Sequence, residues 1–293
     1  MTPVELAGRQ VAAAIRSKVA EAVAERAEAG AGTRLAVVTA TRDEALAWYV
    51  RSIEAAATRV GIECRVCALD ELSSPQSIGA ALDRLTRDPT VDGLMLQTPL
   101  PGGARLADLA AAIGVGKDID GANPLSLGRI ACGLPAFAPA TAAAVIAILD
   151  HHGIRLAGAG VVVVGRSTVV GKPLAHLLLG RDATVTVCHS RTPDLAVVTR
   201  RADIVVAAAG RAGLITGEHL RAGAIVVDVG TNPTADGGLV GDVDAGSVAE
   251  VAGALTPVPG GVGPVTTALL LRNTVLAARG GYPGADQGRH GWE

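Results

Sequence analysis

Short aliphatic runs recur along the chain, interspersed with segments that have the helical spacing of apolar residues. The runs are LAVVTA (35–40), VDGLMLQ (91–97), GVVVVG (160–165), ADIVVAAAG (202–210) and AIVVDVG (224–230). A strand that alternated apolar and polar residues would have one face in water, whereas each of these runs contains consecutive apolar residues without such alternation. Strands of a parallel sheet are covered by helices on both faces and show this composition. The pattern therefore predicts an α/β fold with parallel strands.

The remaining pattern divides into two α/β units, with a boundary near Pro139. Further strands are predicted over ECRVCAL and over 183–188. Helices are predicted over residues 4–28, 43–60, 77–88, 140–152, 172–179 and 264–279. A length of 293 residues also suits about two domains of ~150 residues each.

Composition excludes several classes of function. The chain has one Phe, two Tyr and two Trp, and its net charge is −2. A surface for nucleic acid or for an anionic membrane would need basic charge, and base stacking would need aromatic rings. We therefore expect neither a nucleic-acid nor a membrane partner.

The cysteines and the N-terminal residues point to a reduced compartment. Cys64 and Cys67 form a CxxC pair, but no second pair follows with zinc spacing, and on a strand their side chains face opposite ways. We expect a structural role for both, and no metal site. The stretch MTPVELAGRQ lacks a basic segment followed by an apolar run, so we expect no secretory signal and a cytoplasmic location.

The stretch VVVVGRSTVVGKPLAHLLL carries the most informative local signal. A buried strand ends at Gly165, a tight turn follows, and a helix begins near Lys172. In dinucleotide-binding proteins the backbone N–H groups of such a turn and of the helix N-terminus face a phosphate. The spacing here is G-x-S-x-x-x-G instead of G-x-G-x-x-G, and a turn that merely links strand to helix is the alternative.

The end of the next strand favours NADP over NAD. Enzymes that prefer NAD usually place Asp or Glu there to bind the ribose hydroxyls. Here the strand ends in Cys188-His189-Ser190-Arg191-Thr192, without a carboxylate. Ser190, Arg191 and Arg166 offer donors and positive charge that suit the additional phosphate of NADP. The alternative is a solvated basic turn.

Several motifs together resemble one enzyme family. YVRS, DGLMLQTPLP and KDIDG precede GRSTVVGKP, ATVTVCHSRT, GAIVVDVG, LVGDVD and TPVPGGVGPVT. In this order they closely resemble the bifunctional methylenetetrahydrofolate dehydrogenase/cyclohydrolase family over about residues 4–279. The resemblance implies a homodimer with a folate domain, a Rossmann-type NADP domain and a cleft between them. It also implies that the last helix returns to the first domain.

The domains expected from the resemblance are a folate domain of residues 1–139 plus 265–280, an NADP domain of residues 140–264 and a flexible tail of residues 281–293. The cofactor residues it implies are Gly165, Arg166, Ser167, Gly171, Ser190 and Thr231, to which Arg191 is added from the residues themselves. Tyr49, Gln97 and Asp120 would form the catalytic group. Tyr49 would lie against the pterin and p-aminobenzoate portion, and Asp120 would bind the pterin nitrogens. The residues Gly260, Gly261 and Pro264 would shape the wall of the site near the nicotinamide.

The sequence departs from the family pattern mainly on the folate side. The family's Y-V-x-x-K-x-K reads Tyr49-Val50-Arg51-Ser52-Ile53-Glu54-Ala55, so Ile53 stands where the family has its catalytic lysine. Lysine occurs only at positions 18, 117 and 172, and an arginine stays charged at any working pH and cannot shuttle protons. Thr98, the pair Ala122-Asn123 and the stretch Pro139-Ala140-Thr141-Ala142 also differ from the family's pattern.

Three functions are compatible with these departures. The first is an NADP-dependent dehydrogenase whose cyclohydrolase activity is lost or strongly reduced, because hydrolysis needs acid/base assistance and hydride transfer needs mainly alignment. The second is a one-carbon tailoring enzyme that uses methylenetetrahydrofolate as a carbon donor without net oxidation. The third is a catalytically silent protein that binds NADP or folate. The alternative to all three is an ordinary family member in which these substitutions are tolerated without a change of function. We favour the first function.

Overall fold

A computed structural model describes residues 2–41, 43–234 and 237–282, with the side chains of 44–46 excepted. The chain divides into two compact units, each built on its own parallel sheet. The six-stranded unit comprises residues 2–12 and 141–266, and the three-stranded unit comprises residues 13–140 and the described residues from 267 onward. The α/β fold class expected from the aliphatic runs is confirmed.

The elements follow the predicted order. The helices are α1 (Gly8–Glu28), α2 (Glu44–Arg59), α3 (Pro75–Arg87), α4 (Leu106–Ala110), α5 (Pro124–Ala131), α6 (Ala140–His151), α7 (Gly171–Leu179), α8 (Leu195–Thr199), α9 (Ala245–Ala249) and α10 (Val262–Ala278). The strands are β1 (Val4–Glu5), β2 (Arg34–Thr39), β3 (Glu63–Ala68), β4 (Gly93–Leu96), β5 (Gly160–Val164), β6 (Thr184–Cys188), β7 (Ile204–Ala207), β8 (Ile225–Asp228), β9 (Asn232–Pro233), β10 (Leu239–Val240) and β11 (Ala254–Leu255).

The six-stranded sheet has the order β1-β11-β8-β7-β5-β6, and all of its pairings are parallel. Its central strands are buried from end to end, which is why their sequences are uninterrupted runs of Val and Ile. Because every strand runs the same way, the loops that follow β5, β6, β7 and β8 all leave from one edge of the sheet.

The three-stranded sheet has the order β3-β2-β4 and is also parallel. The central strand β2 and its neighbour β4 are buried, whereas the edge strand β3 is partly exposed. Leu82, Ile78 and Leu94 belong to the apolar core on this sheet. The buried strand β4 carries the chain into Gln97, which places that residue at the carboxyl edge of the sheet.

Two boundary predictions differ from the structure. Residues 4–28 were expected to form one helix in the first domain, but Val4 and Glu5 form β1 and pair in parallel with Ala254 and Leu255. These residues belong with the six-stranded unit. A two-residue strand is too short to show a periodicity of its own, so its sequence alone does not reveal the pairing.

The predicted flexible tail begins too early. The ring of Tyr282 packs on that of Phe137, with centroids 5.1 Å apart, and the Arg129 guanidinium lies 5.6 Å from the Tyr282 centroid. Residue 282 is therefore part of the three-stranded unit. The rest of the tail, residues 283–293, lies outside the described residues.

Candidate active site

Tyr49 lies on α2 in the three-stranded unit. Its hydroxyl forms a hydrogen bond with Thr267 of α10. The same hydroxyl lies close enough to Asp120 to interact electrostatically with that carboxylate. Burial, and next the negative charge of Asp120, raise the pKa of Tyr49 above its usual range, against the Thr267 bond. The structure thus brings together two of the three predicted catalytic residues, with Tyr49 as a protonated hydroxyl at neutral pH.

Ile53 follows Tyr49 by one helical turn on α2, and none of its side chain is exposed. It packs as a core residue, so this position supplies no charge and no proton. None of the chain's three lysines takes its place. Lys117 donates from Nζ to the carbonyl oxygen of Asp88 at 2.6 Å, Lys18 lies within α1, and Lys172 belongs to α7 of the six-stranded unit.

Gln97 is fixed at the end of β4. Its backbone N–H donates to the carbonyl of Val38 at 2.8 Å, and its side-chain Nε2 donates to the carbonyl of Thr98 at 2.8 Å. The side chain is 8% exposed. Because its amide nitrogen is already engaged by Thr98, Gln97 has one fixed orientation. Among the described residues, no hydrogen bond joins Gln97 to Tyr49 or Asp120.

Asp120 lies in the turn that precedes α5. Its Oδ1 accepts one long hydrogen bond, 3.4 Å, from the N–H of Ala140 at the start of α6. Burial, followed by the negative charge of Asp118, raises the pKa of Asp120 to about 7, and the N–H of Ala140 opposes the rise. A carboxylate accepts up to about four hydrogen bonds, so this one has capacity for a ligand.

The residue after Asp120 explains part of the KDIDG motif. Gly121 has φ +62°, and a Cβ there would lie 2.5 Å from the backbone of 137–139. Only glycine allows the turn to approach that segment so closely. The same segment leads directly into Ala140, so the glycine helps to bring Asp120 to its donor.

Asn123 shows that one departure from the family pattern has a structural role. Its Oδ1 accepts from the N–H of Leu125 at 2.7 Å and caps α5, and its Nδ2 donates to the carbonyl of Ile113 at 2.8 Å. The side chain is 6% exposed. Asn is a preferred N-cap residue, so its presence here is explained by the helix start.

Gly165 directly follows β5 in the six-stranded unit. Its φ is +139°, and a Cβ there would clash with the carbonyl oxygen of Ala208 on the neighbouring chain segment. Within the turn, the Oγ of Ser167 accepts from the N–H of Val170 at 3.1 Å. Gly171 is the first residue of α7, so the predicted strand, turn and helix are all present.

The basic residues lie at the same edge of the sheet. Arg166 follows β5, and Ser190 and Arg191 follow β6; all three side chains are exposed. The turn after β6 is held by the Oγ1 of Thr192, which accepts from the N–H of His189 at 2.9 Å. Two guanidinium groups and a hydroxyl are thus available at the carboxyl ends of adjacent strands.

Sequence reasoning missed Asp242, which organises the loops after β7 and β8. Its carboxylate accepts from the N–H groups of Ala209, Gly210 and Arg211 at 2.6–2.8 Å, and from Nδ2 of Asn232 at 2.9 Å. The residue is completely buried. The motif LVGDVD was a signal for it, but its partners are mostly backbone groups that side-chain chemistry does not identify.

Asp228 at the end of β8 is the second buried aspartate of this unit. It accepts from the N–H groups of Gly230, Asp242 and Val243 at 2.9–3.0 Å. Burial raises the pKa of Asp228, and those donors act against the rise. Thr231, a predicted cofactor residue, is exposed directly after this bonded stretch. The two aspartates therefore fix the backbone that presents Thr231.

Gly260, Gly261 and Pro264 fall within the six-stranded unit. The carbonyl of Gly260 accepts from the N–H of Gly8 at 3.0 Å, and the N–H of Gly261 donates to Pro257 at 2.8 Å. Pro264 stands in the first turn of α10, where its missing N–H costs no helical bond.

Two family models match the chain. The tetrahydrofolate dehydrogenase/cyclohydrolase catalytic domain matches residues 6–120, and the NAD(P)-binding domain of the same family matches residues 139–281. The bifunctional protein FolD 1 of Saccharopolyspora erythraea is 60% identical over 278 residues, which cover 95% of each chain. Within the described residues, no helix is long and apolar enough to cross a membrane.

Solved structures agree with these matches. The bifunctional FolD methylenetetrahydrofolate dehydrogenase/cyclohydrolase of Campylobacter jejuni is 37% identical, with a TM-score of 0.91 over 94% of this chain and 98% of that one. The Trypanosoma brucei enzyme complexed with NADP cofactor and inhibitor is 36% identical, with a TM-score of 0.90 over 95% and 98%. The resemblance inferred from the motifs is confirmed: the chain belongs to the tetrahydrofolate dehydrogenase/cyclohydrolase family.

Proposed function

We propose that the protein is an NADP-dependent methylenetetrahydrofolate dehydrogenase whose cyclohydrolase activity is lost or strongly reduced. The observation that carries the second part is Ile53, which is fully buried where the family pattern has lysine. Membership of the family, the nucleotide turn at Gly165 and the carboxylate of Asp120 support the first part.

The residues after β5 and β6 fit NADP. Phosphate oxygens are acceptors, and the turn that follows Gly165 leads into the N-terminus of α7, where backbone N–H groups lack helical partners. Arg166, Ser190 and Arg191 add donors, and no carboxylate at the end of β6 would repel an additional phosphate. We assign this edge of the sheet to the cofactor.

The three-stranded unit fits the folate. An aminopyrimidine edge presents two N–H donors side by side, and a carboxylate with unused acceptor capacity accepts both. Asp120 is that carboxylate, since among the described residues only the N–H of Ala140 donates a hydrogen bond to it. Tyr49 and Gln97 are the flanking polar groups, the first held by Thr267 and the second by Thr98.

The two family reactions make different demands on these residues. Bound NADP supplies the hydride acceptor, so the protein's part in oxidation is to orient the folate, and orientation alone lowers barriers substantially. Hydrolysis of the methenyl product requires proton transfer as water attacks and a C–N bond breaks, and a positioned acid or base is worth ~10² to 10⁴-fold. Ile53 removes such a group from α2 and leaves the orienting residues in place.

The direct test is to supply purified protein with methylenetetrahydrofolate and NADP and to follow NADPH. NADPH formation is expected, with methenyltetrahydrofolate released. If folate-dependent products form from a second acceptor without NADP, the tailoring function replaces this proposal. Binding of both ligands without turnover would make the protein a silent binder.

We also propose the homodimer that the family resemblance implies. The strand β6 is one edge of the six-stranded sheet, and Val187 on it is 37% exposed, so an unpaired edge with apolar side chains is available. Light scattering is expected to give twice the chain mass of 29.3 kDa. A monomeric mass at micromolar concentration would contradict it.

A further inference from the structure

The turn formed by residues 117–123 carries a second aspartate whose partners are all protein groups. Asp118 is completely buried. Its Oδ1 accepts from the N–H of Ala122 at 3.0 Å, and its Oδ2 accepts from the N–H of Asn123 and the hydroxyl of Ser126, both at 2.9 Å. Burial raises the pKa of Asp118 to about 6, and the three donors oppose that rise, so Asp118 is mainly ionised at neutral pH.

The same residue closes the turn through its backbone. Its carbonyl oxygen accepts from the N–H of Gly121 at 3.1 Å, which leaves Asp120 inside a four-residue turn. The turn is also anchored from outside, because Nδ2 of Asn273 on α10 donates to the carbonyl of Ile119 at 2.8 Å. Asp118 thus joins the segment before Asp120 to the segment after it.

We propose that Asp118 is a positioning residue for the folate site of the three-stranded unit: its carboxylate, bonded to Ala122, Asn123 and Ser126, holds the turn that presents Asp120. This inference rests on the proposed function for its catalytic consequence. The groups acting on Asp120 are Asp118 from the same turn, Tyr49 from α2 and the N–H of Ala140 from α6. Asp118 is the ionised group among them at neutral pH.

The consequence is a folate site that depends on pH near neutrality. Two N–H donors of a pterin require the ionised carboxylate of Asp120. Burial and the Asp118 charge raise the pKa of Asp120 to about 7. The affinity for folate should therefore increase as the pH is raised from below 7 to above 7. Neutralising Asp118 moves this transition to lower pH.

The test compares Asp118→Asn with the wild type in two measurements. One is tetrahydrofolate affinity by calorimetry from pH 5 to 9. The other is the carbon-13 NMR titration of the Asp120 carboxyl, assigned by its loss in Asp120→Asn. In Asp118→Asn we expect the Asp120 midpoint to fall by about one pH unit, and NADP-linked oxidation to fall about ten- to a hundredfold through misplacement.

Two further variants keep the test decisive. Ser126→Ala removes one donor and keeps the charge, so it should loosen the turn without lowering the Asp120 midpoint. Asp108→Asn is the matched control, since Asp108 is exposed and paired with Arg105, and it should change neither measurement. If Asp118→Asn does not fold, Ser126→Ala still tests whether the hydrogen bonds to Asp118 position the turn. Unchanged folate affinity and unchanged oxidation in Ser126→Ala would overturn that role.

An unchanged Asp120 midpoint in folded Asp118→Asn would overturn the charge effect. The carboxyl titration needs no turnover. A wild type without dehydrogenase activity therefore refutes the proposed function, whereas the titration decides separately whether Asp118 acts on Asp120.

Discussion

In the six-stranded unit the carboxylate of Asp242 accepts four hydrogen bonds, whereas in the three-stranded unit Asp120 accepts one, at 3.4 Å. Asp242 lies within the motif LVGDVD and Asp120 within the motif KDIDG, and both motifs are typical of the family. The first carboxylate is saturated by three backbone N–H groups and the Asn232 amide, and it holds loops in place. The second is left with unused acceptor capacity in a half-buried site. The comparison teaches that burial alone does not separate the two aspartates, whereas unused hydrogen-bonding capacity does, and this is why we propose Asp120 as the ligand-binding one.

The departures from the family pattern follow the same division. On the cofactor side Gly165, Ser167 and Gly171 occupy the strand, turn and helix that the motif requires. On the folate side Ile53 is a core residue and Asn123 is a helix cap. Under the proposed function, one unit retains the nucleotide turn, and the other keeps the Asp120 acceptor but has no lysine at position 53.

The largest expected effect is the loss of stability on replacing Asp242. Asp242→Ala leaves four buried donors without an acceptor, and we expect the free energy of unfolding to fall by about 3 kcal/mol or more. Urea unfolding measures this loss. Glu250→Gln, at an exposed position of the same unit, is the control and should stay within ~0.5 kcal/mol. A small effect of Asp242→Ala would mean that the saturated carboxylate is not a scaffold.

Unlike Asp242, ionised Asp120 should lower the free energy of unfolding. Its folded pKa of about 7 lies above the unfolded value, so its contribution to stability is complete at low pH and is lost as the pH rises through 7. We expect a loss of roughly 2–3 kcal/mol between pH 5 and pH 9 that Asp120→Asn largely removes. The same variant should bind folate more weakly and NADP normally. A wild type whose unfolding free energy shows no such pH dependence contradicts the raised pKa.

On the cofactor edge, Arg166→Ala and Arg191→Ala should weaken NADP more than NAD, by roughly 1–3 kcal/mol for a charge-assisted contact. Titration of both dinucleotides into each variant measures the difference. The wild type is the reference, and equal affinities of the wild type for NADP and NAD would refute the preference.

The smallest effect concerns Asn123. Asn123→Ala removes the cap of α5 and the bond to Ile113, and we expect a loss of about 1–2 kcal/mol in stability. Thermal unfolding measures it, and Asn123→Asp should restore the cap alone. If Asn123→Ala alters folate affinity more than stability, Asn123 belongs to the ligand site instead of to the helix start.

The strands and the nucleotide turn were predictable because their signals are local: apolar runs, a glycine turn and a helix start. The pairing of Val4 and Glu5 with Ala254 and Leu255 was not, because a two-residue strand is specified by its distant partner. The roles of Asp118 and Asp242 were also hidden. Most of their partners are backbone N–H groups, which every residue except proline carries. The sequence could place Tyr49 and Asp120 together only through the family resemblance.

We propose that the protein oxidises methylenetetrahydrofolate but does not hydrolyse methenyltetrahydrofolate, because Ile53 stands where the family has a proton-transferring lysine. The most direct measurement supplies methenyltetrahydrofolate to the wild type and compares its decay with the uncatalysed decay in the same buffer. We predict equal rates, and faster decay with Ile53→Lys. Wild-type decay well above the background would show that another group performs the proton transfer and would contradict the account.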